Sequence, residues 1–143
     1  MDAEMTLKMA QFFGKPWPLL LFDAGYDVWM GNNRGTKYTN MKTGPGSDPK
    51  SKEHWDFTIE DMGIYDLPAE IDKVLQVTGK EKLTYIGYSA GTMQMFLGLA
   101  ALEEEYFADR VSKVVAMAPC MYIQPEALGE PTIYEEVIKA YQK

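Results

Sequence analysis

A Gly-x-Ser-x-Gly pentapeptide at residues 87–91, Gly-Tyr-Ser-Ala-Gly, is the stretch of this sequence best suited to chemistry. The four residues before it have the composition of a short buried strand, and the apolar run over residues 92–102 predicts a helix. A serine at the tight turn between a strand and a helix is held in a strained conformation with its hydroxyl exposed. We therefore predict that Ser89 is a nucleophile and that the two glycines allow the bend without a Cβ clash.

The residue after the serine adds to this chemistry. We predict that the backbone N–H of Ala90, at the start of the helix, stabilises an oxyanion formed on a substrate carbonyl. A serine hydroxyl is a weak nucleophile unless a neighbouring base accepts its proton. A serine nucleophile at such a strand–turn–helix bend is called a nucleophile elbow, and its histidine usually comes last in the chain. The one histidine of this sequence, His54, instead precedes Ser89. We interpret His54 as a packed side chain, with a catalytic base as the alternative.

Four other side chains are predicted to have structural roles. Asp66 precedes an amphipathic run and is interpreted as a helix N-cap. Arg34, with five donors, is expected to tie its turn to Asp66 or to another buried carboxylate. Asp109 is expected near the end of a helix, before the next strand. Cys120 is interpreted as a buried, inert thiol, because no cationic neighbour stands beside it in the sequence.

The pattern of apolar and breaking residues predicts alternating helices and strands. Helices are predicted over residues 5–13, 19–24, 66–77, 92–102 and 131–141. Strands are predicted over residues 26–30, 83–87 and 110–117. The near-continuous apolar end of the last strand suits a parallel sheet that is buried on both faces. We expect one α/β domain over residues 1–143 with a mostly parallel sheet.

Composition and charge narrow the range of partners. The 143 residues carry a formal net charge of −7, which argues against nucleic acid and against electrostatic docking on anionic membranes. One cysteine and one histidine provide neither an internal disulfide nor a zinc cluster, and we expect no metal and no cofactor. No apolar run approaches the roughly 20 residues of a membrane span. The acidic start is unlike a signal peptide, so the sequence as written favours the cytosol.

Longer segments carry a family resemblance. The run Asp-Ala-Gly-Tyr-Asp-Val-Trp-Met-Gly-Asn-Asn-Arg-Gly at residues 23–35, Tyr-Asp-Leu-Pro-Ala at residues 65–69 and the pentapeptide resemble, in order and spacing, the acid lipase family. These are the gastric and lysosomal lipases of the α/β-hydrolase fold, and the likeness spans residues 23–118. It implies a three-layer sandwich, Ser89 as the nucleophile and Ala90 as an oxyanion donor. It also implies neutral lipid esters as substrates, transient contact with a lipid surface, and a secreted or lysosomal location.

Departures from the family pattern predict an incomplete domain. The family carries an upstream His-Gly segment that provides a second oxyanion donor, and its acid and histidine follow the serine. This sequence has no His-Gly pair and no histidine after Ser89, and Tyr88 and Ala90 stand where the family usually has His and Gln. In the family, the His-Gly segment forms a strand that lies between the strands predicted here at 26–30 and 83–87. Without it, these two strands must pair directly, leave a gap, or accept a strand from another chain.

Two functional hypotheses follow from the sequence. The first is a lipase-like carboxylic ester hydrolase that uses Ser89, with its acid and histidine outside this chain. The alternative is a catalytically inactive hydrolase-like subunit or binding protein. A fragment of a longer polypeptide is a third interpretation of the same departures.

Overall fold

The computed structural model describes residues 3–11, 14–39 and 48–120. Within these ranges the chain forms helices, a 3₁₀ turn (Glu53–Trp55), a π-helical turn (Met62–Asp66) and two strands. The helices are α1 (Ala3–Gln11), α2 (Trp17–Asp23), α3 (Ile59–Asp61), α4 (Leu67–Thr78), α5 (Ala90–Ala101) and α6 (Glu104–Arg110). The strands are β1 (Leu83–Tyr88) and β2 (Val111–Met117). The helix predicted over residues 131–141 lies outside the described residues.

The segment after α2 differs from its prediction. Residues 26–30 form no strand, and the described sheet has only two members, so the strand predicted there is wrong. Tyr26 and Trp29 are 64% and 47% exposed. Alternating apolar residues give a segment the capacity to form a strand, but a strand exists only where a neighbour accepts its backbone hydrogen bonds. No described strand lies beside this segment.

Helices α3 and α4 are joined without a break by the π-helical turn. The first of them begins at a capping box, in which the Asp61 N–H donates to the Thr58 hydroxyl and the Thr58 N–H donates to the Asp61 carboxylate. Helix α4 ends at Thr78 and is capped by Gly79, whose φ of 67° is a left-handed conformation that glycine adopts without strain. The predicted helix over residues 66–77 is confirmed.

The sheet confirms the parallel α/β prediction. β1 and β2 pair in parallel, with Tyr85 opposite Val114 and Ile86 opposite Val115. Helices α5 and α6 connect the two strands, as a parallel pair requires. The expectation that Asp109 lies near the end of a helix implies α6, but no bounds were predicted for this helix, because its acidic first turn resembles a solvated helix end. Its Phe107 is nevertheless buried in the core.

The hydrophobic core lies between α4, α5 and α6. Four apolar side chains are buried in it: Leu67, Ile71, Met95 and Phe107. Partly buried side chains from β1 and β2, including Leu83, Tyr85 and Val111, pack against this cluster. The core therefore packs against both β1 and α5, the two elements that the pentapeptide joins. Within the described residues, no helix is both long enough and apolar enough to cross a membrane.

Strand β2 departs from the prediction that it is buried on both faces. Val114 is 41% exposed and Val115 is 37% exposed, although they point to opposite faces of the sheet. Parallel strands are normally covered on both faces, and a sheet of two strands is rarely stable alone. The described part of the chain is thus an open, incomplete α/β sandwich.

Candidate nucleophile site

The pentapeptide adopts the predicted strand–turn–helix geometry. β1 ends at Tyr88, α5 begins at Ala90, and Ser89 between them has φ 51° and ψ −116°. A positive φ in a non-glycine residue combined with this ψ is a strained conformation, which costs about 1–3 kcal/mol and persists only where surrounding contacts hold it. The bend is therefore made by the serine itself.

The two glycines of the pentapeptide have different environments. Neither is among the described glycines that have positive φ. A Cβ at Gly87 would lie 2.9 Å from the carbonyl of Gly91 and the amide nitrogen of Thr92, whereas a Cβ at Gly91 would meet only the Tyr85 hydroxyl, at 3.5 Å. The prediction that both glycines prevent a clash therefore holds only for Gly87.

Backbone hydrogen bonds hold the strained serine from both sides. The Ser89 N–H donates to the carbonyl of Met117, at the end of β2, over 3.0 Å. The Ser89 carbonyl accepts from the Thr92 N–H at 2.9 Å and from the Thr92 hydroxyl at 2.6 Å. The end of the neighbouring strand and the first turn of α5 together fix the backbone of Ser89.

The serine hydroxyl lies next to the single cysteine. Ser89 Oγ and Cys120 Sγ are 3.8 Å apart, and either atom can donate to the other. Cys120 is half-buried rather than buried, and its N–H donates to the Thr92 hydroxyl over 2.9 Å. The interpretation of Cys120 as a buried thiol is therefore wrong: this residue is only half-buried, and it follows a turn at Ala118, whose φ is 47°.

Ala90 occupies the first position of the 12-residue helix α5. The first N–H groups of a helix have no partner within it, and they carry the partial positive charge of the helix dipole. This is the local geometry that an oxyanion donor needs. The role of Ala90 as that donor stays a prediction, as does the role of Ser89 as the nucleophile.

The one histidine lies in a packed cluster. His54 is 5% exposed in the 3₁₀ turn, and its ring meets that of Trp55 edge to face with 4.8 Å between centroids. Trp55 in turn lies 6.2 Å from Phe57, and both rings crowd Gly35. This packing agrees with the interpretation of His54 as a packed side chain.

The predicted Arg34–Asp66 contact is confirmed. The Arg34 backbone N–H donates to Asp66 Oδ2 at 2.8 Å, and its Nε donates to Oδ1 at 2.7 Å. The carboxylate makes no capping hydrogen bond to α4, so the interpretation of Asp66 as a side-chain cap is wrong. The π-helical turn already supplies helical backbone before α4, which leaves no free helix end for Asp66 to cap. Asp109 is exposed at the end of α6, as predicted.

Two buried amides support the site and were missed by sequence reasoning. Asn33 Nδ2 donates to Gln94 Oε1 at 3.1 Å, and Gln94 Nε2 donates back to Asn33 Oδ1 at 2.9 Å. Gln94 Nε2 also donates to the Met62 carbonyl at 3.0 Å. This pair joins the turn after residue 30 to α5, one turn beyond the elbow. No sequence signal links two polar residues 61 positions apart.

Replacing Gln94 with leucine should lower the free energy of unfolding by about 1–3 kcal/mol, because it leaves the buried Asn33 amide without its partner. The Asn33→Leu variant should cost a similar amount. The double variant should cost less than the sum of the two, since neither amide is then left unpaired. Urea unfolding followed by circular dichroism measures all three. Strict additivity of the single costs would contradict the pairing.

A buried carboxyl lies behind the same turn. Glu70 Oε1 is buried with no hydrogen-bond partner among the described residues, and a Cβ at Gly31 would overlap this carboxyl. Burial, with the charge of Asp66 nearby, raises the pKa of Glu70 to about 7, opposed by a hydrogen bond from the Asn32 backbone. Burial, together with the Glu70 charge, also raises the pKa of Tyr85 above its usual range.

Tyr85 connects this carboxyl region to the elbow. Its hydroxyl donates to the Gly91 carbonyl at 2.8 Å. A partly buried side chain of β1 therefore contacts the first turn of α5 and supports the elbow. No group of three or more His, Cys, Asp or Glu side chains suited to a metal ion occurs in the ranges that the structure describes.

Comparisons with known proteins agree with this geometry. Residues 10–139 match a family model described as the α/β-hydrolase fold. A probable lipase of Schizosaccharomyces pombe is 40% identical over 131 residues, which cover 90% of this chain and 26% of that protein. Human lipase member K is 36% identical over 123 residues, covering 84% of this chain and 30% of that protein.

A third relative has a more specific name. Mouse gastric triacylglycerol lipase is 40% identical over 100 residues, which cover 70% of this chain and 24% of that protein. This chain therefore spans about a quarter of the length of the relatives it matches.

Proposed function

We propose, from the premise that this chain belongs to the α/β-hydrolase family, that it carries the nucleophile of a lipase-like carboxylic ester hydrolase. The observation that carries the proposal is the strained Ser89 at a strand–turn–helix elbow. Such strain at a serine between a strand and a helix is characteristic of the nucleophile in this fold. The similarity to proteins named as lipases supports neutral lipid esters, such as triacylglycerols, as the substrate class.

In the proposed reaction, Ser89 Oγ attacks the ester carbonyl carbon while a base accepts the hydroxyl proton. The Ala90 N–H stabilises the negative charge that develops on the carbonyl oxygen. The tetrahedral intermediate collapses to an acyl-serine, and the leaving alcohol takes the proton from the base. Water then hydrolyses the acyl-serine by the reverse sequence. No metal or cofactor is needed for these steps.

The base and its orienting acid are proposed to come from outside this chain. The sequence contains one histidine, and its position before the serine and its packing beside Trp55 favour a structural role. The open sheet supports the same proposal, because Val114 and Val115 are exposed on opposite faces of β2. A further polypeptide that completes the sheet would cover these side chains and bring the missing groups.

A fluorophosphonate probe tests the nucleophile directly. We expect the purified chain to be labelled at Ser89, located by mass spectrometry, and the Ser89→Ala variant to remain unlabelled. Labelling should be slow, because a serine without its histidine loses most of its activation. Ser112→Ala, which removes an exposed serine of β2, serves as the matched control and should be labelled like the parent.

The same assay decides the second candidate function. If the folded parent is not labelled, the elbow is inactive in this chain and the hydrolase-like binding protein becomes the better interpretation. The absence of a histidine after Ser89 is the observation that favours this candidate. We expect His54→Ala to leave the labelling rate unchanged. A loss of labelling with the fold intact would make His54 the base.

A further inference from the structure

We infer that Thr92 is a positioning residue, which couples the conformation of Ser89 to the position of the turn after β2. The catalytic consequence rests on the proposed function, whereas the coupling itself does not. The Thr92 side chain is 1% exposed, so its hydroxyl has to find its partners within the protein. It finds two, and they belong to different parts of the site.

The Thr92 hydroxyl acts both as a hydrogen-bond donor and as an acceptor. It donates to the Ser89 carbonyl at 2.6 Å and accepts from the Cys120 N–H at 2.9 Å. One bond holds the strained residue at the end of β1, and the other holds the chain three residues beyond the end of β2. A side chain without a hydroxyl would break both bonds at once.

Cys120, which bonds to Thr92, also contacts the serine side chain. Cys120, fixed through its backbone by Thr92, places Sγ 3.8 Å from Ser89 Oγ. Its turn contains Ala118 at φ 47°, a left-handed conformation that an alanine holds only under constraint. Thr92, Cys120 and Ser89 thus form a closed ring of contacts. Releasing the Thr92 bonds should free the turn and change the surroundings of the serine hydroxyl.

The alternative is that Thr92 only fills space. It lies on the buried side of α5, near the fully buried Met95. Valine has the shape of threonine but no hydroxyl, so Thr92→Val keeps the packing and removes the hydrogen bonds. Serine keeps the hydroxyl and loses the methyl group, so Thr92→Ser tests the reverse. The two variants separate bonding from packing.

The first readout does not depend on activity. Cys120 is the one cysteine of the sequence, so its alkylation by iodoacetamide reports the position of the turn alone. We expect alkylation to be about five- to tenfold faster in Thr92→Val than in the parent, and within about twofold of the parent in Thr92→Ser. Equal alkylation rates in the parent and in a folded Thr92→Val variant would overturn the coupling.

Hydrogen exchange of the parent keeps the test decisive if Thr92→Val does not fold. The Cys120 amide, which donates to the Thr92 hydroxyl, should be protected from exchange in the parent. Exchange of this amide at the rate of an unstructured chain, while the amides of β1 and β2 remain protected, would contradict the inference without any variant.

The second readout is the rate at which fluorophosphonate labels Ser89. We expect Thr92→Val to lower it by about tenfold and Thr92→Ser to restore it. Faster alkylation with an unchanged labelling rate would show that Thr92 holds the turn without positioning the nucleophile, which overturns the catalytic part. If the parent itself is not labelled, the proposed function fails, and the alkylation and exchange measurements still decide the coupling.

Discussion

Replacing Gly87 with alanine should destabilise this protein by about 1–3 kcal/mol or more, although the change adds a single carbon atom. The added Cβ would lie 2.9 Å from three backbone atoms of Gly91 and Thr92. Backbone atoms cannot move aside as the end of a flexible side chain can. The strand and the first turn of α5 would have to separate, and the bonds that fix Ser89 lie at this junction.

The second glycine of the pentapeptide provides the matched control. A Cβ at Gly91 would make an ordinary 3.5 Å contact with the Tyr85 hydroxyl, and its φ is not positive. Gly91→Ala should therefore be neutral or stabilise the fold by up to about 1 kcal/mol, since alanine favours the helix. Urea unfolding of the two variants measures the difference. Equal costs at both positions would show that the close approach at Gly87 is not what the junction needs.

These two glycines show which features of the site can be predicted from the sequence and which cannot. The Gly-x-Ser-x-Gly pattern predicts the elbow correctly, because a buried strand, a turn and an apolar helix follow one another locally. The pattern does not reveal why each glycine is present. The positive φ belongs to Ser89, and only Gly87 faces a crowded backbone. Such distinctions depend on atoms that meet only after folding.

The errors in the fold have a common cause. Residues 26–30 have the composition of a strand, and β2 has the composition of a buried strand. Composition is a local property of the sequence, but the pairing of a strand and its burial are not. Pairing and burial depend on neighbours, and the described sheet has two strands. The prediction that Arg34 contacts Asp66 or another buried carboxylate succeeded, because a five-donor side chain in a turn needs a carboxylate and Asp66 was one of those that the sequence offers.

The buried polar residues show the same limit within the site. Gln94 was interpreted only as part of an apolar helix, and its partner Asn33 lies 61 positions earlier. Glu70 occupies a polar position of an amphipathic helix, where a carboxylate is expected to face water. Its burial results from the turn at Gly31, which covers it. Long-range contacts of this kind leave no periodic signal in the chain.

Glu70→Gln should make the protein more stable at alkaline pH and have little effect at acidic pH. The pKa of Glu70 is raised from 4.5 to about 7 in the folded protein. Below pH 4.5, Glu70 is protonated in both the folded and the unfolded protein. Between pH 4.5 and about pH 7 it keeps its proton only in the folded protein. The free energy of unfolding therefore falls as pH rises through this window. The loss is complete about one pH unit above the folded pKa and is on the order of 3 kcal/mol.

The variant removes this loss because glutamine has no charge to bury. The stability of Glu70→Gln minus that of the parent should therefore increase by roughly 2–3 kcal/mol between pH 5 and pH 9. Urea unfolding at several pH values measures the difference. Glu60→Gln, at an exposed position of α3, is the matched control and should show no such trend.

A difference that stays constant with pH would mean that the Glu70 carboxyl is solvated in the folded protein. The turn at Gly31 and Asn32 would then not cover it. The expected trend would instead show that the turn is closed over a carboxyl whose Oε1 has no hydrogen-bond partner among the described residues. Because the same turn carries Asn33 and Arg34, which bond to Gln94 and Asp66, loss of the Glu70 proton should loosen the attachment of this turn to α5. The pH dependence of stability thus reports on the structural support of the serine elbow.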